Sequence, residues 1–390
     1  MNFAERMGRL GTETAFEVLA RARALEAAGK NVIHLEIGEP DFDTPAFIRK
    51  AAAEALEAGW THYGPSAGLP EFRKTIADVF GAERRFPCDA DNVVVTPGGK
   101  PIMFFAMLAL LEEGDEVLYP NPGFPIYESV ANFVNARPVA LHLKEENDFD
   151  LDLKELESKI TSRTKLLILN SPHNPTGAVL KPETVEGIAA LARKHSFWIL
   201  SDEIYARLQY EGRHLSIASL PGMSERTVVL DGFSKTFAMT GWRLGFGIMP
   251  KPLAVHVTRL MTNCNSCTAS FVQRAGMAAL TGPQGEMHAM VAEFKVRRDT
   301  IVKGLNQIPG VRCLMPKGAF YVFPNITGTG MKSKELATAL LEEAGVAGLA
   351  GTSFGAYGEG YLRVSYANSL ENINTALAAI GDYVGVRAKA

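Results

Sequence analysis

Five short, largely apolar runs, each followed by a polar or glycine-containing loop, constrain the fold of this chain more than any other feature. The runs occupy residues 93–96, 116–119, 165–169, 197–200 and 228–230. Their length and composition indicate buried strands. Four of these strands are followed by candidate site residues, namely Gly98 with Gly99, Asn174, Asp202 and Lys235. In an open parallel α/β sheet, ligands bind at the carboxyl ends of the strands, so a single site explains all of these residues.

Lys235 lies among aromatic residues in the sequence, close to Phe233, Phe237 and Trp242. Apolar surroundings disfavour the charged form of a lysine, which lowers its pKa and makes its amine a better nucleophile toward a carbonyl. Arg243 follows one small-residue loop later, and its forked, permanently charged guanidinium suits a phosphate. A lysine at the edge of the core that extends its ammonium to water explains these residues equally well.

Residues 234–245 read Ser-Lys-Thr-Phe-Ala-Met-Thr-Gly-Trp-Arg-Leu-Gly. This stretch resembles the pyridoxal-phosphate lysine motif of the class I/II aminotransferases, the fold-type-I family, and the motifs are most similar to those of the bacterial aspartate aminotransferase branch. The resemblance spans nearly the whole chain. It implies that pyridoxal 5′-phosphate is the cofactor, that Lys235 binds it as a Schiff base, and that Ser234 and Arg243 bind its phosphate.

The same resemblance implies further cofactor contacts. Gly98, Gly99 and Lys100 would form a phosphate cup, at a turn where backbone N–H groups can approach an anion. Phe124, held in a proline-rich loop, would stack on the pyridine ring. Tyr63 would cross the interface of a homodimer and donate a hydrogen bond to the partner's cofactor phosphate, so that the active sites are shared.

Residues near two strand ends complete the expected cofactor site. Asp202 would keep the pyridine nitrogen protonated, so that the ring accepts electrons. Asn174 and Tyr205 would contact the phenolic oxygen of the cofactor. Glu203 belongs to the same motif as Asp202 but is expected to point elsewhere. His173 is interpreted as structural rather than as a general base, because the family transfers protons with its lysine.

The resemblance also implies a substrate site. Gly38 would lie beside the substrate carboxylate, Asn174 would contact the substrate, and Arg363 would bind the α-carboxylate through its guanidinium. From the strand pattern alone, Arg363 would more commonly be exposed. Lys100 resembles a lysine that binds a distal carboxylate, which makes aspartate with 2-oxoglutarate the leading substrate pair. Glu13, on the entry segment, could instead neutralise Lys100 or select a neutral or basic side chain.

The fold that the resemblance implies is α/β. A large cofactor-binding domain with a mostly parallel, seven-stranded-type sheet would span residues 46–286. A smaller α/β domain would be built from both termini, residues 1–45 and 287–390. The implied activity is transfer of an α-amino group from an L-amino acid to a 2-oxo acid by a ping-pong mechanism.

Composition limits the other classes of function. The net charge of −3 gives no basic surface for nucleic acid or an anionic membrane, and no apolar run reaches the roughly 20 residues of a spanning helix. Residues 1–6 lack the layout of a secretory signal, so a cytoplasmic location is expected. Cys264 and Cys267 form a CxxC pair, but neither a second pair nor spaced histidines complete a zinc site, so we expect reduced thiols and no metal.

Three other functions fit part of the pattern. The same scaffold supports other pyridoxal-phosphate reactions, such as those of lyases and amine oxidations, and the motifs do not exclude them. A transcription regulator with an aminotransferase-like ligand domain would need an N-terminal DNA-binding domain, and the Gly38 motif comes too early for one. A scaffold protein that has lost its activity is disfavoured, because the charged residues of the expected site are all present.

Overall fold

The computed structural model describes residues 3–387. Its α-helices span Thr14–Ala27 (α1), Ala46–Glu57 (α2), Pro70–Arg84 (α3), Lys100–Leu110 (α4), Ile126–Phe133 (α5), Leu153–Lys159 (α6), Pro182–His195 (α7), Lys251–Asn265 (α8), Ser270–Thr281 (α9), Gly285–Leu305 (α10), Ser333–Glu342 (α11) and Leu370–Arg387 (α12). Its strands span Ile33–His34 (β1), Val93–Thr96 (β2), Glu116–Asn121 (β3), Arg137–His142 (β4), Thr164–Asn170 (β5), Trp198–Asp202 (β6), Thr227–Gly232 (β7), Gly245–Ile248 (β8), Tyr321–Val322 (β9), Val346–Ala347 (β10), Leu349–Ala350 (β11) and Leu362–Ser365 (β12).

Seven strands form the central sheet, in the order β2-β8-β7-β6-β5-β3-β4. The strands β7, β6, β5, β3 and β4 pair in parallel. Strand β8 lies antiparallel to both of its neighbours, β2 and β7. All five strands expected from the apolar runs belong to this sheet, and the predicted α/β fold with a mostly parallel, seven-stranded sheet is confirmed.

Helices cover both faces of the sheet. Successive strand residues point to opposite faces, and β2 illustrates the result. Val93 and Val95 pack in one buried cluster with Phe72 of α3, whereas Val94 packs in another with Ile102 of α4. Since both faces exclude water, the strands are apolar at nearly every position instead of alternating with polar residues.

The carboxyl ends of β5, β6 and β7 lie side by side because these strands are parallel neighbours. They end at Asn170, Asp202 and Gly232. Strand β2 runs in the same direction as β7, since both are antiparallel to β8, and α4 begins at Lys100 just after it. One edge of the sheet therefore gathers the loops that the sequence marks as functional.

Two small sheets lie outside the central one in the described residues. Strand β1 pairs in parallel with β10, and β12 pairs antiparallel with β11 and β9. A buried apolar cluster joins Ile33 and Leu35 to residues between Met290 and Val384. The division into residues 46–286 and residues 1–45 with 287–390 stays a prediction.

No helix of the described chain is long and apolar enough to cross a membrane.

Candidate active site

A cavity of about 510 Å³ lies at the carboxyl edge of the central sheet. This volume is within the usual range for small-molecule sites, about 300–1,000 Å³. Most of the predicted site residues line the cavity, namely Gly38, Gly99, Lys100, Phe124, Asn174, Asp202, Tyr205, Ser234, Lys235, Arg243 and Arg363. Gly98 and Tyr63 are not among the lining residues. The strand ends thus bring together residues that are up to several hundred positions apart in sequence.

Lys235 presents its amine to this cavity. Nζ donates a hydrogen bond to the backbone carbonyl of Gly38. Burial lowers the pKa of Lys235 to about 8, although the nearby Glu39 carboxylate opposes the shift. An amine that is partly neutral near neutral pH can attack a carbonyl and accept a proton. The geometry therefore favours a reactive lysine over one that extends to the outer surface.

Asp202 ends β6 and is buried. Its Oδ2 accepts a hydrogen bond from Tyr127 Oη at 2.8 Å, and its Oδ1 accepts one from the backbone N–H of Ile204 at 3.3 Å. Burial raises the pKa of Asp202 to about 6, despite the opposing effect of the Tyr127 hydrogen bond. A carboxyl group in this environment gains stability in its charged form when a cation binds beside it.

Replacing Asp202 with asparagine is expected to stabilise the apoprotein at high pH. Because the pKa rises on folding from 3.8 to about 6, this carboxyl favours the fold fully below 3.8, and that contribution is lost as the pH rises through 6. Asparagine keeps an oxygen for the Tyr127 hydroxyl but carries no charge. At about 1.4 kcal/mol per pKa unit, the free energy of unfolding should exceed that of the wild type by about 3 kcal/mol at pH 8.

The difference should fall to about 0.6 kcal/mol at pH 4, because the unfolded-state carboxyl is still partly ionised there. Urea unfolding of the two apoproteins at both pH values measures it. A difference that does not change with pH would contradict a raised pKa for Asp202.

Arg363 lies in β12 and is buried, although an arginine in such a strand is more commonly exposed. Its Nη2 donates to the backbone carbonyl of Glu36, and its Nη1 donates to Asn174 Oδ1 at 3.3 Å. The rings of Tyr321 and Phe354 flank the guanidinium, with centroids 4.5 and 4.9 Å from Cζ. Its Nε has no hydrogen-bond partner, and no carboxylate within residues 3–387 forms an ion pair with it. A buried cation with free donors is a strong site for an anion.

Asn174 is positioned by another residue of the cavity. Asn170, at the end of β5, accepts a hydrogen bond from the Asn174 backbone N–H at 2.8 Å. The Asn170 side chain also donates to the Asp202 carbonyl at 3.0 Å. The ends of β5 and β6 are thereby joined, and the Asn174 amide is held between Arg363 and the strand edge.

A second set of groups that can bind an anion lies where β2 leads into α4. Arg243 is exposed and donates from Nη1 to the carbonyl of Thr240 at 3.0 Å, and the buried Ser234 lines the same cavity. Gly98 has a φ of +87°, and a Cβ at this position would overlap the Arg243 guanidinium. Only glycine fits this backbone and this close approach. Together with Gly99 at the start of a helix, these groups can hold a phosphate.

Lys100 and Phe124 also line the cavity. The Lys100 ammonium donates to the Glu13 carboxylate and lies 5.6 Å from the centroid of the Phe124 ring. The sequence left open whether Glu13 would neutralise Lys100, and the structure shows that the two side chains are paired. Phe124 packs edge-on against Tyr127, with centroids 5.7 Å apart.

Other candidate residues lie away from the cavity or have other partners. Tyr63 is 90% exposed. Tyr205 lines the cavity, and its Oη is hydrogen bonded to Tyr321 Oη at 2.8 Å. His173 is not a lining residue, and burial lowers its pKa to about 3. Glu203 is buried beside Arg84, 2.8 Å from Nη1, so it points elsewhere as expected.

Two tyrosines that line the cavity were not predicted as site residues from the sequence. Tyr127 is three residues after Phe124, in the first turn of α5, and its ring packs against that of Phe124, so its proximity to the predicted ring-stacking residue could have revealed it. Tyr321 reaches the cavity because β9 pairs with β12, the strand that carries Arg363. That pairing links distant segments and has no local signal in the sequence.

Comparisons with known proteins agree with this geometry. The family model for "Aminotransferase class I and II" matches residues 30–380. An aspartate aminotransferase of Pyrococcus horikoshii is 42% identical over 380 residues, which cover 97% of this chain and 96% of the relative. Aromatic-amino-acid aminotransferase 2 of Thermococcus litoralis is 41% identical over 89% of this chain and 90% of its own length.

A solved structure extends the similarity to three dimensions. The alanine aminotransferase from Pyrococcus furiosus superposes with a TM-score of 0.94 at 34% identity, covering 99% of this chain and 100% of that one. The family match and the similarity over nearly the whole length show that this enzyme belongs to the class I and II aminotransferases.

Proposed function

We propose that this aminotransferase uses pyridoxal 5′-phosphate and moves the α-amino group of an L-amino acid to a 2-oxo acid. The observation that carries the proposal is that the Lys235 amine, the Asp202 carboxylate and the Arg363 guanidinium all face one cavity. The class I and II family is known for this cofactor. Because donor and acceptor would use the same groups, they would bind in turn, which is a ping-pong mechanism.

The residues of the cavity fit the cofactor. Arg243, Ser234 and the backbone N–H of Gly99 would hold its phosphate, and the absence of a side chain at Gly98 leaves room for the Arg243 guanidinium. Asp202, whose charged form is disfavoured by burial, would gain a cation in the ring nitrogen. When bound, pyridoxal phosphate supplies an aldehyde that condenses with amines and a ring that accepts the electron pair left at the substrate Cα.

The chain's own side chains would bind the substrate and move its proton. Arg363 binds the α-carboxylate and so orients Cα. The Lys235 Nζ, released from the Gly38 carbonyl, accepts the proton from Cα. Its pKa of about 8 leaves part of the amine unprotonated at neutral pH, as a general base requires. Asn174 keeps Arg363 in place through their hydrogen bond.

Aspartate with 2-oxoglutarate is the leading substrate pair. Lys100 lines the cavity and can bind a distal carboxylate, and the relative from Pyrococcus horikoshii is an aspartate aminotransferase. Neutral, aromatic or basic donors are the second candidate, because Glu13 engages Lys100 and the relative from Thermococcus litoralis is named for aromatic amino acids.

A matrix of donors and acceptors tests this proposal. Aspartate, glutamate, alanine, phenylalanine and arginine would each be incubated with 2-oxoglutarate or pyruvate, except for the self-exchange pairs glutamate with 2-oxoglutarate and alanine with pyruvate. The new amino acid and the new 2-oxo acid would be quantified. Equal amounts of both products support amino transfer. Release of ammonia or carbon dioxide without transfer would instead indicate another reaction of the same scaffold.

We also propose a homodimer with shared active sites, since Tyr63 is exposed and lies outside the cavity of its own chain. Tyr63→Ala should be impaired alone, and mixing it with Lys235→Ala should restore activity. Random exchange makes half of the dimers hybrid, each with one intact site, so about a quarter of the wild-type activity should return. Full activity of a monomer would contradict shared sites.

A cytoplasmic location is also part of the proposal, and the composition of the chain supports it.

A further inference from the structure

An ion pair lines the cavity in addition to the groups assigned above. Lys100, the first residue of α4, donates from Nζ to Glu13, which directly precedes α1. The Lys100 side chain is 47% exposed and the Glu13 side chain 17%. A solute in the cavity can therefore reach the ammonium from the side that Glu13 does not cover.

The other cations of the described cavity wall already have roles. Arg243 faces the phosphate position, Lys235 is the reactive amine, and Arg363 is placed for the α-carboxylate. Lys100 is thus the remaining lining cation for a second carboxylate of a substrate, and a carboxylate of the protein is bound to it. A distal carboxylate would have to share the ammonium with Glu13 or displace it.

The wall next to this ion pair is largely apolar. Ala15 and Phe16 follow Glu13 in α1, and Ile37 precedes Gly38. Phe16 is 60% exposed, so it has surface left to bury against a ligand. A neutral side chain would gain this contact without disturbing the Glu13–Lys100 pair.

We infer that Glu13 is a specificity-determining residue, whose carboxylate competes with the distal carboxylate of a dicarboxylic substrate for the Lys100 ammonium. This inference rests on the proposed function and names its substrate class. The site takes dicarboxylic and neutral amino acids, and Glu13 lowers the preference for the dicarboxylic ones. The cause is repulsion, since two carboxylates at one ammonium disfavour each other.

Two unreactive ligands isolate the distal carboxylate. Succinate and butyrate both have four carbons, and only succinate has a carboxylate at the far end. In the Glu13→Gln holoenzyme, succinate should bind about tenfold more tightly than in the wild type, the scale of releasing a partly exposed charge pair. Butyrate should change by no more than about twofold. Calorimetry measures both dissociation constants, and their ratio is the readout. A ratio is needed because the Glu13 charge also acts on Arg363, which would affect the binding of any carboxylate.

Two further variants control for nonspecific effects. Glu17→Gln removes the same charge from an exposed position of α1 that does not line the cavity, and it should leave the ratio unchanged. Adding Lys100→Gln to Glu13→Gln should abolish the gain for succinate, because the ammonium is then absent. Glu13 makes no capping hydrogen bond to α1, so its replacement does not remove a helix cap.

The outcomes separate this inference from the proposed function. An unchanged or weaker binding of succinate by Glu13→Gln, or an equal gain for butyrate, would overturn it. The ratio of kcat/KM for aspartate to that for alanine should also rise about tenfold in this variant. If the wild type transfers no amino group from any donor, the proposed function fails, yet the two binding constants still test Glu13. If donors react and neither ratio changes, the inference alone fails.

Discussion

Replacing Lys235 with alanine is expected to reduce turnover by about 10⁴-fold or more while the cofactor stays bound. One amine serves as nucleophile and as base, so both functions are lost together. Cofactor binding should persist, because Arg243, Ser234 and Asp202 remain in the cavity wall. Rates of product formation, together with the absorbance of the cofactor after desalting, measure the two effects separately.

A control and a labelling experiment complete this test. Lys303→Ala removes a lysine from an exposed position of α10 and should have wild-type turnover. Borohydride reduction of the loaded wild type should leave the cofactor on the peptide that contains Lys235. Label on a different lysine, or turnover near the wild-type rate in Lys235→Ala, would refute the assignment.

Five of the seven strands of the central sheet, and much of its carboxyl edge, can be predicted from local sequence pattern, whereas β4 and β8 were not predicted. A short apolar run identifies a buried strand without knowledge of the residues that pack against it. Neighbouring parallel strands have their carboxyl ends at the same edge of the sheet. The position of Asp202 at the end of β6 and of Lys235 just after β7 therefore requires no knowledge of side-chain contacts. Gly98, which follows β2 and precedes a helix, likewise indicates a turn, and its φ is positive as glycine permits.

The surroundings of Arg363 could not be predicted in this way. The strand pattern favours an exposed arginine, but Tyr321 and Phe354 cover it, and its hydrogen bond to the Glu36 carbonyl spans 327 residues. The Glu13–Lys100 pair spans 87 residues. Burial and partner choice at such positions depend on which distant segments pack together, and the order of residues along one segment does not specify that.

Two carboxylates near the site differ for a related reason. Glu203 and Asp202 are neighbours in sequence, yet Glu203 lies against the Arg84 guanidinium. Burial opposes ionisation of Glu203, but the neighbouring His214 and Arg84 side chains lower its pKa to about 2. Asp202 accepts a hydrogen bond from a tyrosine hydroxyl and forms no ion pair within the described residues, and burial raises its pKa to about 6. Glu203 lies one residue beyond the end of β6, where it pairs with Arg84, whereas Asp202 lines the cavity and remains available to a ligand.

Replacing Arg363 with leucine is expected to lower kcat/KM by about 10²–10⁴-fold for every amino donor, the scale of removing one partner of a buried charge pair. The α-carboxylate is common to all amino acids, so donor preference should change little, in contrast to Glu13→Gln. Arg363→Lys keeps the charge but cannot form two parallel hydrogen bonds, and it should lose activity to an intermediate extent. Steady-state kinetics with aspartate, alanine and phenylalanine measure these effects.

Stability distinguishes loss of binding from loss of folding in the Arg363→Leu variant. Burial lowers the pKa of Arg363, and within the described chain no carboxylate is paired with it. An uncompensated buried charge opposes folding, and this cost offsets the hydrogen bonds that the guanidinium donates to Glu36 and Asn174. The leucine apoprotein should therefore unfold in urea within about 1 kcal/mol of the wild type. A large loss of stability would mean that Arg363 is structural, and a kinetic loss confined to dicarboxylic donors would mean that another residue binds the α-carboxylate.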